Sequence, residues 1–223
     1  MACTAYSAQT MRFVFLILLL FASPASAREP AIVRVRLVTS AGPIVLALDA
    51  RHAPKTVENF MAYVDDGRFD GTTFYRAARS KRMPGQGFIQ AGIRTDARRI
   101  LPPFPLETTR MTGIRHLNGT VSMARGSEPG SAGGNFVITI GPAPQMDANG
   151  TYLGYAAFGH VAGGMATVKR ILALPSGGGS DMFKGQMILR PVALLRVQRL
   201  DGTPKPTGRV KPWLMETRAP RRR

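Results

Sequence analysis

The sequence of 223 residues contains a single cysteine, Cys3, close to its N-terminus. A lone thiol cannot form an internal disulfide, so the stability of the fold must come from packing. The three histidines, His52, His116 and His160, lie far apart in the sequence, which argues against a metal site. Outside the N-terminus no apolar run approaches the roughly 18 residues of a membrane-spanning helix. The length suits one well-buried domain.

Acidic residues are also scarce. The chain has 13 Asp and Glu residues against 30 Lys and Arg residues, for a formal net charge of +17. The basic residues are scattered except for three arginines at 221–223, and they do not alternate with aromatic residues as in a single-strand stacking platform. We therefore expect a solvated basic surface and no specific nucleic-acid site. Weak contact of the basic C-terminal segment with polyanions or membrane surfaces stays open.

The N-terminus has the pattern of a secretory signal. Residues 13–22 (FVFLILLLFA) form a short apolar run that follows Arg12 and precedes the small residues Ala25, Ser26 and Ala27. The pattern predicts a cleavable signal peptide over residues 1–27, with Met11 as an alternative start. A buried N-terminal helix is the competing interpretation. We expect an exported protein, which would be periplasmic in a Gram-negative bacterium.

The first part of the mature sequence predicts a hairpin followed by a helix. Residues 32–38 (IVRVRLV) alternate apolar and basic side chains, as in a half-exposed strand, and residues 43–48 (PIVLAL) return after a turn. Pro54 then suits the first turn of a helix, where its missing N–H costs nothing. The apolar residues of this helix recur on one face, at Val57, Phe60, Met61 and Val64.

The rest of the domain reads as short strands between glycine-rich loops. The predicted strands cover residues 72–77, 88–91, 119–123, 135–140 and 156–160. A second helix is predicted over residues 164–174, and a long last strand over residues 188–200 has a bulge near Leu194 and Leu195. About eight strands and two helices predict a mainly β fold. We expect a closed eight-stranded antiparallel β-barrel capped by two α-helices.

This organisation gives one domain over residues 28–200. Residues 201–223 contain four prolines and show no apolar periodicity, so we expect a flexible, basic, proline-rich tail. Docking of Trp213 onto the domain is the alternative.

Six sequence strings stand in a distinctive order across this domain. They are APKTVENF at 53–60, FDGTTFYR at 69–76, FIQAG at 88–92, GTVSMAR at 119–125, GNFVI at 134–138 and FGHV at 158–161. In order and spacing they resemble the cyclophilin family of peptidyl-prolyl isomerases, over residues 32–200. The resemblance implies an eight-stranded barrel with two capping helices, in agreement with the strand and helix pattern. It also implies binding of proline-containing polypeptides, and we expect a monomer.

The resemblance places the catalytic arginine of the family at Arg76. Rotation about an X–Pro bond has a barrier of about 18–20 kcal/mol because the C–N bond has partial double-bond character. Twisting removes that resonance and leaves a basic lone pair on the prolyl nitrogen. A positioned donor that favours the twisted state lowers the barrier without covalent chemistry. The planar, permanently charged guanidinium of Arg76 suits this role, and the reaction needs no cofactor and no metal.

The same resemblance implies a set of substrate-binding residues. Gln90 matches the glutamine that bonds to substrate and arginine, and Phe88 takes a position that is usually methionine. The complete predicted set is Phe88, Gln90, Ala124, Arg125, Asn135, Val137, Met146 and Tyr155.

Several of these positions depart from the family pattern. Asn135 replaces a glutamine, Val137 replaces a phenylalanine of the proline pocket, and Tyr155 lies near a usual histidine. The segment 77–87 is also longer than in compact members. Because valine buries less apolar area than phenylalanine, we expect a weaker hold on proline, by about 1 kcal/mol. These departures keep a second hypothesis open, in which the domain binds proline peptides or acts as a chaperone without catalysis.

Overall fold

The computed structural model describes residues 30–214. The predicted signal peptide and residues 215–223 lie outside the described residues. Nine strands are present in this part: β1 Ile32–Thr39, β2 Ile44–Asp49, β3 Thr72–Arg79, β4 Gly87–Gly92, β5 Thr120–Met123, β6 Asn135–Ile140, β7 Ala157–Gly163, β8 Ser176–Gly177 and β9 Met187–Arg199. The α-helices are α1 Pro54–Asp65, the single turn α2 Thr109–Thr112, and α3 Met165–Ala173. None of the helices within residues 30–214 is long and apolar enough to cross a membrane.

Eight of the strands close into an antiparallel barrel. Their order is β1-β2-β7-β5-β6-β4-β3-β9, and pairing of β1 with β9 completes the ring. The two-residue strand β8 pairs only with β9. Closure leaves no exposed edge along the main strands, which removes the usual hazard of strand addition. The predicted fold class is therefore confirmed.

Helix α1 covers one end of the barrel with the predicted apolar stripe. Val57, Phe60, Met61 and Val64 are all buried, and the ring of Phe60 lies 5.1–5.3 Å from three other phenylalanine rings. The free N–H groups at the start of the helix need an acceptor, because a helix cannot satisfy them internally. The carboxylate of Glu107 supplies it and accepts from the backbone N–H of Thr56 at 2.7 Å.

Two irregularities of the strands can be compared with the sequence predictions, one in the β1–β9 pair and one in the β3–β4 hairpin. The β1–β9 register shifts so that Val38 faces Arg196 while Thr39 faces Leu194, which confirms the predicted bulge at Leu195. The segment 77–87, longer than in compact family members, extends β3 to Arg79 and starts β4 at Gly87, and residues 80–86 form the loop between them. Gly87 makes this hairpin possible: its φ is +145°, and a Cβ there would lie 2.0 Å from the carbonyl oxygen of Ala78.

The C-terminal segment contacts the domain as far as it is described. Asp66 accepts hydrogen bonds from the backbone N–H and the hydroxyl of Thr207, at 2.8 and 2.6 Å. The ring of Trp213 lies 4.9 Å from the guanidinium of Arg68 and 5.0 Å from that of Arg99. These contacts correct the expectation of an unattached tail for the stretch that ends at Trp213. The division of the whole chain into three regions stays a prediction.

Candidate functional site

Arg76 lies on β3 at a register shift. Phe74 pairs with Ala91 and Arg76 pairs with Gln90, so Tyr75 is an extra residue between two pairs. A bulge of this kind re-aims the side chains beside it. Here both Tyr75 and Arg76 reach the side chain of Gln90, although they are neighbours in the sequence.

The guanidinium of Arg76 is held by two glutamines and two aromatic rings. Its Nη1 donates to Oε1 of Gln90 at 2.9 Å, and its Nε donates to Oε1 of Gln186 at 2.8 Å. Its central carbon lies 4.9 Å from the ring centre of Phe88 and 4.5 Å from that of Phe183. Such cation–π contacts and hydrogen bonds fix both the position and the plane of the charged group.

A chain of hydrogen bonds continues from Gln90 into the barrel wall. The amide nitrogen of Gln90 donates to the hydroxyl of Tyr75 at 2.8 Å, and that hydroxyl donates to Oδ1 of Asn135 at 3.2 Å. The amide nitrogen of Asn135 donates in turn to the carbonyl oxygen of Arg94 at 2.9 Å. Both polar atoms of the Asn135 side chain are thus engaged within the protein. Asn135 is therefore linked to Arg76 through Tyr75 and Gln90.

Burial shifts the pKa values of the two residues at the centre of this chain. Removal from water lowers the pKa of Arg76, although an arginine stays charged at any working pH because its ordinary pKa is so high. Burial raises the pKa of Tyr75 to about 12, so its hydroxyl remains protonated and can act as donor and acceptor at once. Near neutral pH the guanidinium of Arg76 therefore stays charged and the hydroxyl of Tyr75 stays neutral.

An apolar cluster lies next to the arginine. Val137, Ala143 and Met146 are buried together, and three partly buried residues pack on them: Phe88, Ala124 and Tyr155. Phe88 belongs to this cluster and also contacts the guanidinium of Arg76. The ring of Phe88 thus contacts both the charged group of Arg76 and the apolar cluster.

Arg125 closes the far side of this cluster. Its Nε donates to the carbonyl oxygen of Gly154 at 2.8 Å, and its guanidinium lies 5.1 Å from the ring of Tyr155. On the neighbouring residue, the backbone N–H of Ala124 donates to the carbonyl oxygen of Asn135 at 2.9 Å. The loop at Gly154 and the end of β5 are therefore tied together behind the apolar residues.

A Ser–His–Asp arrangement lies behind the same cluster. His116 contacts the carboxylate of Asp147 through Nδ1 at 2.6 Å and the hydroxyl of Ser122 through Nε2 at 2.9 Å. Ser122 is fully buried and His116 nearly so, which keeps substrate away from the hydroxyl. Because Asp147 directly follows Met146, the contacts of His116 hold that side of the cluster in place. Burial lowers the pKa of His116, which favours the neutral ring.

No three His, Cys, Asp or Glu side chains gather as metal ligands anywhere in the part of the chain that the structure describes. A cavity of about 400 Å³ lies between α1 and the C-terminal segment, beside Val57, Met61 and Thr207, and it shares no lining residue with the Arg76 site.

The comparisons with known proteins agree with this geometry. Residues 34–193 match the family model described as cyclophilin type peptidyl-prolyl cis-trans isomerase. The chain belongs to the cyclophilin family. The sequence-based recognition of the family, and of peptidyl-prolyl isomerase as its enzyme class, is confirmed.

Two curated bacterial relatives share 38% identity with this cyclophilin. Peptidyl-prolyl cis-trans isomerase A of Dickeya dadantii aligns over 149 residues, 67% of this chain and 75% of the relative. Peptidyl-prolyl cis-trans isomerase cyp18 of Streptomyces antibioticus aligns over 148 residues, 64% and 85% respectively. Among solved structures, a cyclophilin type isomerase of Cryptosporidium parvum superposes with a TM-score of 0.58 at 21% identity, over 77% of this chain and 99% of that chain. This structural likeness supports the fold.

The structure brings the predicted site residues into one region of the cyclophilin barrel. Arg76, Phe88 and Gln90 lie together, and Val137, Met146, Ala124 and Tyr155 form the adjoining apolar cluster with Phe88. Their roles toward a substrate stay predictions.

Sequence reasoning missed Tyr75, Phe183 and Gln186. Tyr75 stands beside Arg76 in the recognised string, but the bulge that turns both side chains toward Gln90 is visible only in the structure. Gln186 lies 110 residues from Arg76 and carries no sequence signal that links the two.

Proposed function

We propose that this cyclophilin accelerates X–Pro isomerisation in partly folded polypeptides, with Arg76 as the donor that stabilises the twisted amide. The guanidinium has five N–H donors, and two of them are used by Gln90 and Gln186. The remaining donors are available to the prolyl carbonyl oxygen and to the nitrogen lone pair that develops on twisting. A donor that is already oriented costs little reorganisation when the barrier is crossed.

The apolar cluster supplies the seat for the proline ring. Val137, Met146 and Phe88 offer hydrocarbon and aromatic surface without a charged group among them. Burial of the ring on such a surface is favourable at about 25 cal/mol per Å² of apolar area. Val137 offers less of this area than a phenylalanine would, which predicts modest substrate affinity.

The observation that carries the proposal is the shared position of Phe88. Its ring lies 4.9 Å from the guanidinium carbon of Arg76 and packs on the apolar cluster. A proline ring seated on the cluster would therefore have its amide bond within reach of the arginine donors, as the reaction requires.

Replacement of Arg76 by alanine is the direct test. We expect kcat/KM for an Ala-Pro test peptide to fall about 100-fold, the typical effect of losing a donor to a transition state. Arg196→Ala, which removes an exposed arginine on β9, is the matched control and should leave the rate unchanged. Both variants should keep the wild-type unfolding midpoint within a few degrees.

The same measurement separates catalysis from simple binding. A non-catalytic peptide-binding or chaperone module would show peptide-induced NMR shifts without exchange between the cis and trans peptide signals. If the wild-type protein produced no such exchange, or if Arg76→Ala exchanged the isomers as fast as wild type, catalysis by Arg76 would be ruled out.

We also propose that the enzyme works after export. The support is the apolar run at residues 13–22 followed by small residues at 25–27, together with the absence of any cysteine after Cys3. N-terminal sequencing of the mature protein should begin at Arg28, and an intact N-terminus would contradict export through this signal.

A further inference from the structure

The segment that leads into β9 passes directly beside Arg76. Residues Asp181–Phe183 form a short 3₁₀ turn, and Gln186 is the residue before the first residue of β9. The backbone N–H of Ala77 donates to the carbonyl oxygen of Gln186 at 2.9 Å. Arg76 itself pairs with Met187 across the β3–β9 ladder. The backbone on both sides is therefore fixed where the two side chains meet.

Hydrogen bonds at both ends of its amide fix the orientation of the Gln186 side chain. Its amide nitrogen donates to the carbonyl oxygen of Met182 at 2.9 Å, and this bond turns its Oε1 toward the Nε of Arg76. Gln90 is oriented in the same way, because its amide nitrogen donates to the hydroxyl of Tyr75. Each glutamine thus presents an acceptor to the guanidinium and uses its donor elsewhere.

Phe183 adds a second contact from the same segment. Its ring centre lies 4.5 Å from the guanidinium carbon of Arg76, closer than the ring of Phe88. Phe183 is 37% exposed, so its ring forms part of the surface around the arginine. The contact restricts movement of the charged group without using any of its N–H donors.

The donors left over face no acceptor in the described part of the chain. Nε is bonded to Gln186 and Nη1 to Gln90, while Nη2 donates to no atom among residues 30–214. Two bonds at different nitrogens define the plane of a rigid guanidinium, whereas one bond would leave it free to rotate. The unused donors therefore keep a defined direction.

We propose that Gln186, assisted by Phe183, is a positioning residue that holds the guanidinium plane of Arg76 for catalysis. The inference deepens the proposed function and rests on it. The side chain of Gln186 hydrogen-bonds to the arginine and to the carbonyl oxygen of Met182, so its loss should lower the turnover rate and leave peptide affinity almost unchanged. A residue of merely structural importance would instead lower stability, or change both quantities.

The test compares variants of the mature full-length protein with an Ala-Pro peptide, with kcat and KM determined separately. Gln186→Ala should lower kcat about tenfold with KM within twofold, because one hydrogen bond to a charged group is lost. Gln186→Glu retains an acceptor and should recover kcat to within about threefold of wild type. Met182→Ala removes a side chain that is 72% exposed, but it keeps the backbone carbonyl, and it should behave as wild type.

Two further measurements tie the effect to Arg76. In an Arg76→Lys background, Gln186→Ala should cause no further loss of kcat, because the lysine has no Nε–H of this kind to hold. The Nε–H signal of Arg76 in a proton–nitrogen NMR spectrum should exchange faster with water in Gln186→Ala than in wild type.

Phe183→Leu should lower kcat about threefold. If Gln186→Ala does not fold, this variant tests the proposal in its place.

The results of these experiments distinguish failure of the Gln186 proposal from failure of the proposed isomerase function. If wild type and Met182→Ala isomerise the peptide and Gln186→Ala does so at the same kcat, or if the loss persists in the Arg76→Lys background, positioning by Gln186 is wrong. If wild type itself does not isomerise the peptide, the proposed function fails first. In that case the Arg76 Nε–H exchange still reports whether Gln186 holds the guanidinium.

Discussion

The two halves of the candidate site, the contacts around Arg76 and the apolar cluster around Val137, are built on different principles. Around Arg76 the polar contacts are directional: two glutamines, a tyrosine hydroxyl and an asparagine form one continuous chain of hydrogen bonds. Around Val137 the contacts are apolar, and Ala143, Met146 and Phe88 meet there without hydrogen bonds between their side chains. Phe88 belongs to both halves, because its ring contacts the guanidinium of Arg76 and packs on the apolar cluster.

This difference determines how each half tolerates change. A hydrogen-bonded chain needs each member in one orientation, and a buried donor that loses its partner costs the desolvation of that group. An apolar surface depends mainly on area and volume, so a smaller side chain lowers affinity in a graded way. The polar half should therefore control turnover, and the apolar half should control affinity for proline.

Among the residues that support Arg76 from the barrel wall, the largest effect is expected for Tyr75→Phe. Loss of the hydroxyl removes the group that fixes the amide of Gln90, so Gln90 can turn its NH₂ toward Arg76 and repel it. We expect kcat to fall about tenfold with little change in KM. Tyr63→Phe is the matched control: that hydroxyl is also buried, but it accepts from the backbone N–H of Leu101. An unchanged kcat in Tyr75→Phe would break the proposed chain.

A smaller effect with the opposite kinetic signature is expected for Val137→Ala. Removal of its buried methyl groups reduces the apolar area under the proline ring by an amount worth about 1 kcal/mol, or about fivefold in KM, with kcat within twofold. Val197→Ala, which shortens a buried side chain of β9 in the main core, should cost similar stability without raising KM. If Val137→Ala lowered kcat alone, the division of labour between the two halves would be wrong.

The smallest effect concerns stability and tests the polar support behind the apolar half. Burial lowers the pKa of His116 in the folded protein, so the unfolded chain takes up a proton near pH 6.5 where the folded chain does not. Stability should therefore fall as the pH drops below about 6.5, with a slope of at most about 1.4 kcal/mol per pH unit.

Urea unfolding between pH 7.5 and 5 measures this dependence. His116→Gln should flatten it, and His160→Gln, which replaces an exposed histidine, should not. Equal slopes in wild type and His116→Gln would mean that His116 does not contribute.

Local patterns in the sequence were sufficient for most of the framework. The stripe Val57, Phe60, Met61 and Val64 predicts the buried face of α1, and the change of phase at Leu195 predicts the β9 bulge. These features depend on residues three or four apart, or on strict alternation, so periodicity reveals them. The family strings also predict Arg76 and Gln90 in one site, and the structure shows the hydrogen bond between them.

The segments at residues 77–87 and 205–213 were harder to predict. In the first, glycine and charged residues interrupt the alternation, which hides the extension of the strands to Arg79 and from Gly87. Residues 80–86 between them form a loop. The second lacks apolar periodicity, and its contacts depend on single partners, such as Asp66 for Thr207, that lie far away in the sequence.

The sequence by itself determined that this chain folds as a cyclophilin, and it singled out Arg76 as the predicted catalytic residue. Hydrophobic periodicity and the order of short motifs are properties of the sequence, so they can be recognised without knowledge of the fold. Only the tertiary structure decided which side chains hold the arginine. Gln186 and Phe183 reach it because antiparallel pairing places β9 alongside β3, so residues 110 positions apart share one hydrogen bond. Contacts of that range depend on the path of the whole chain.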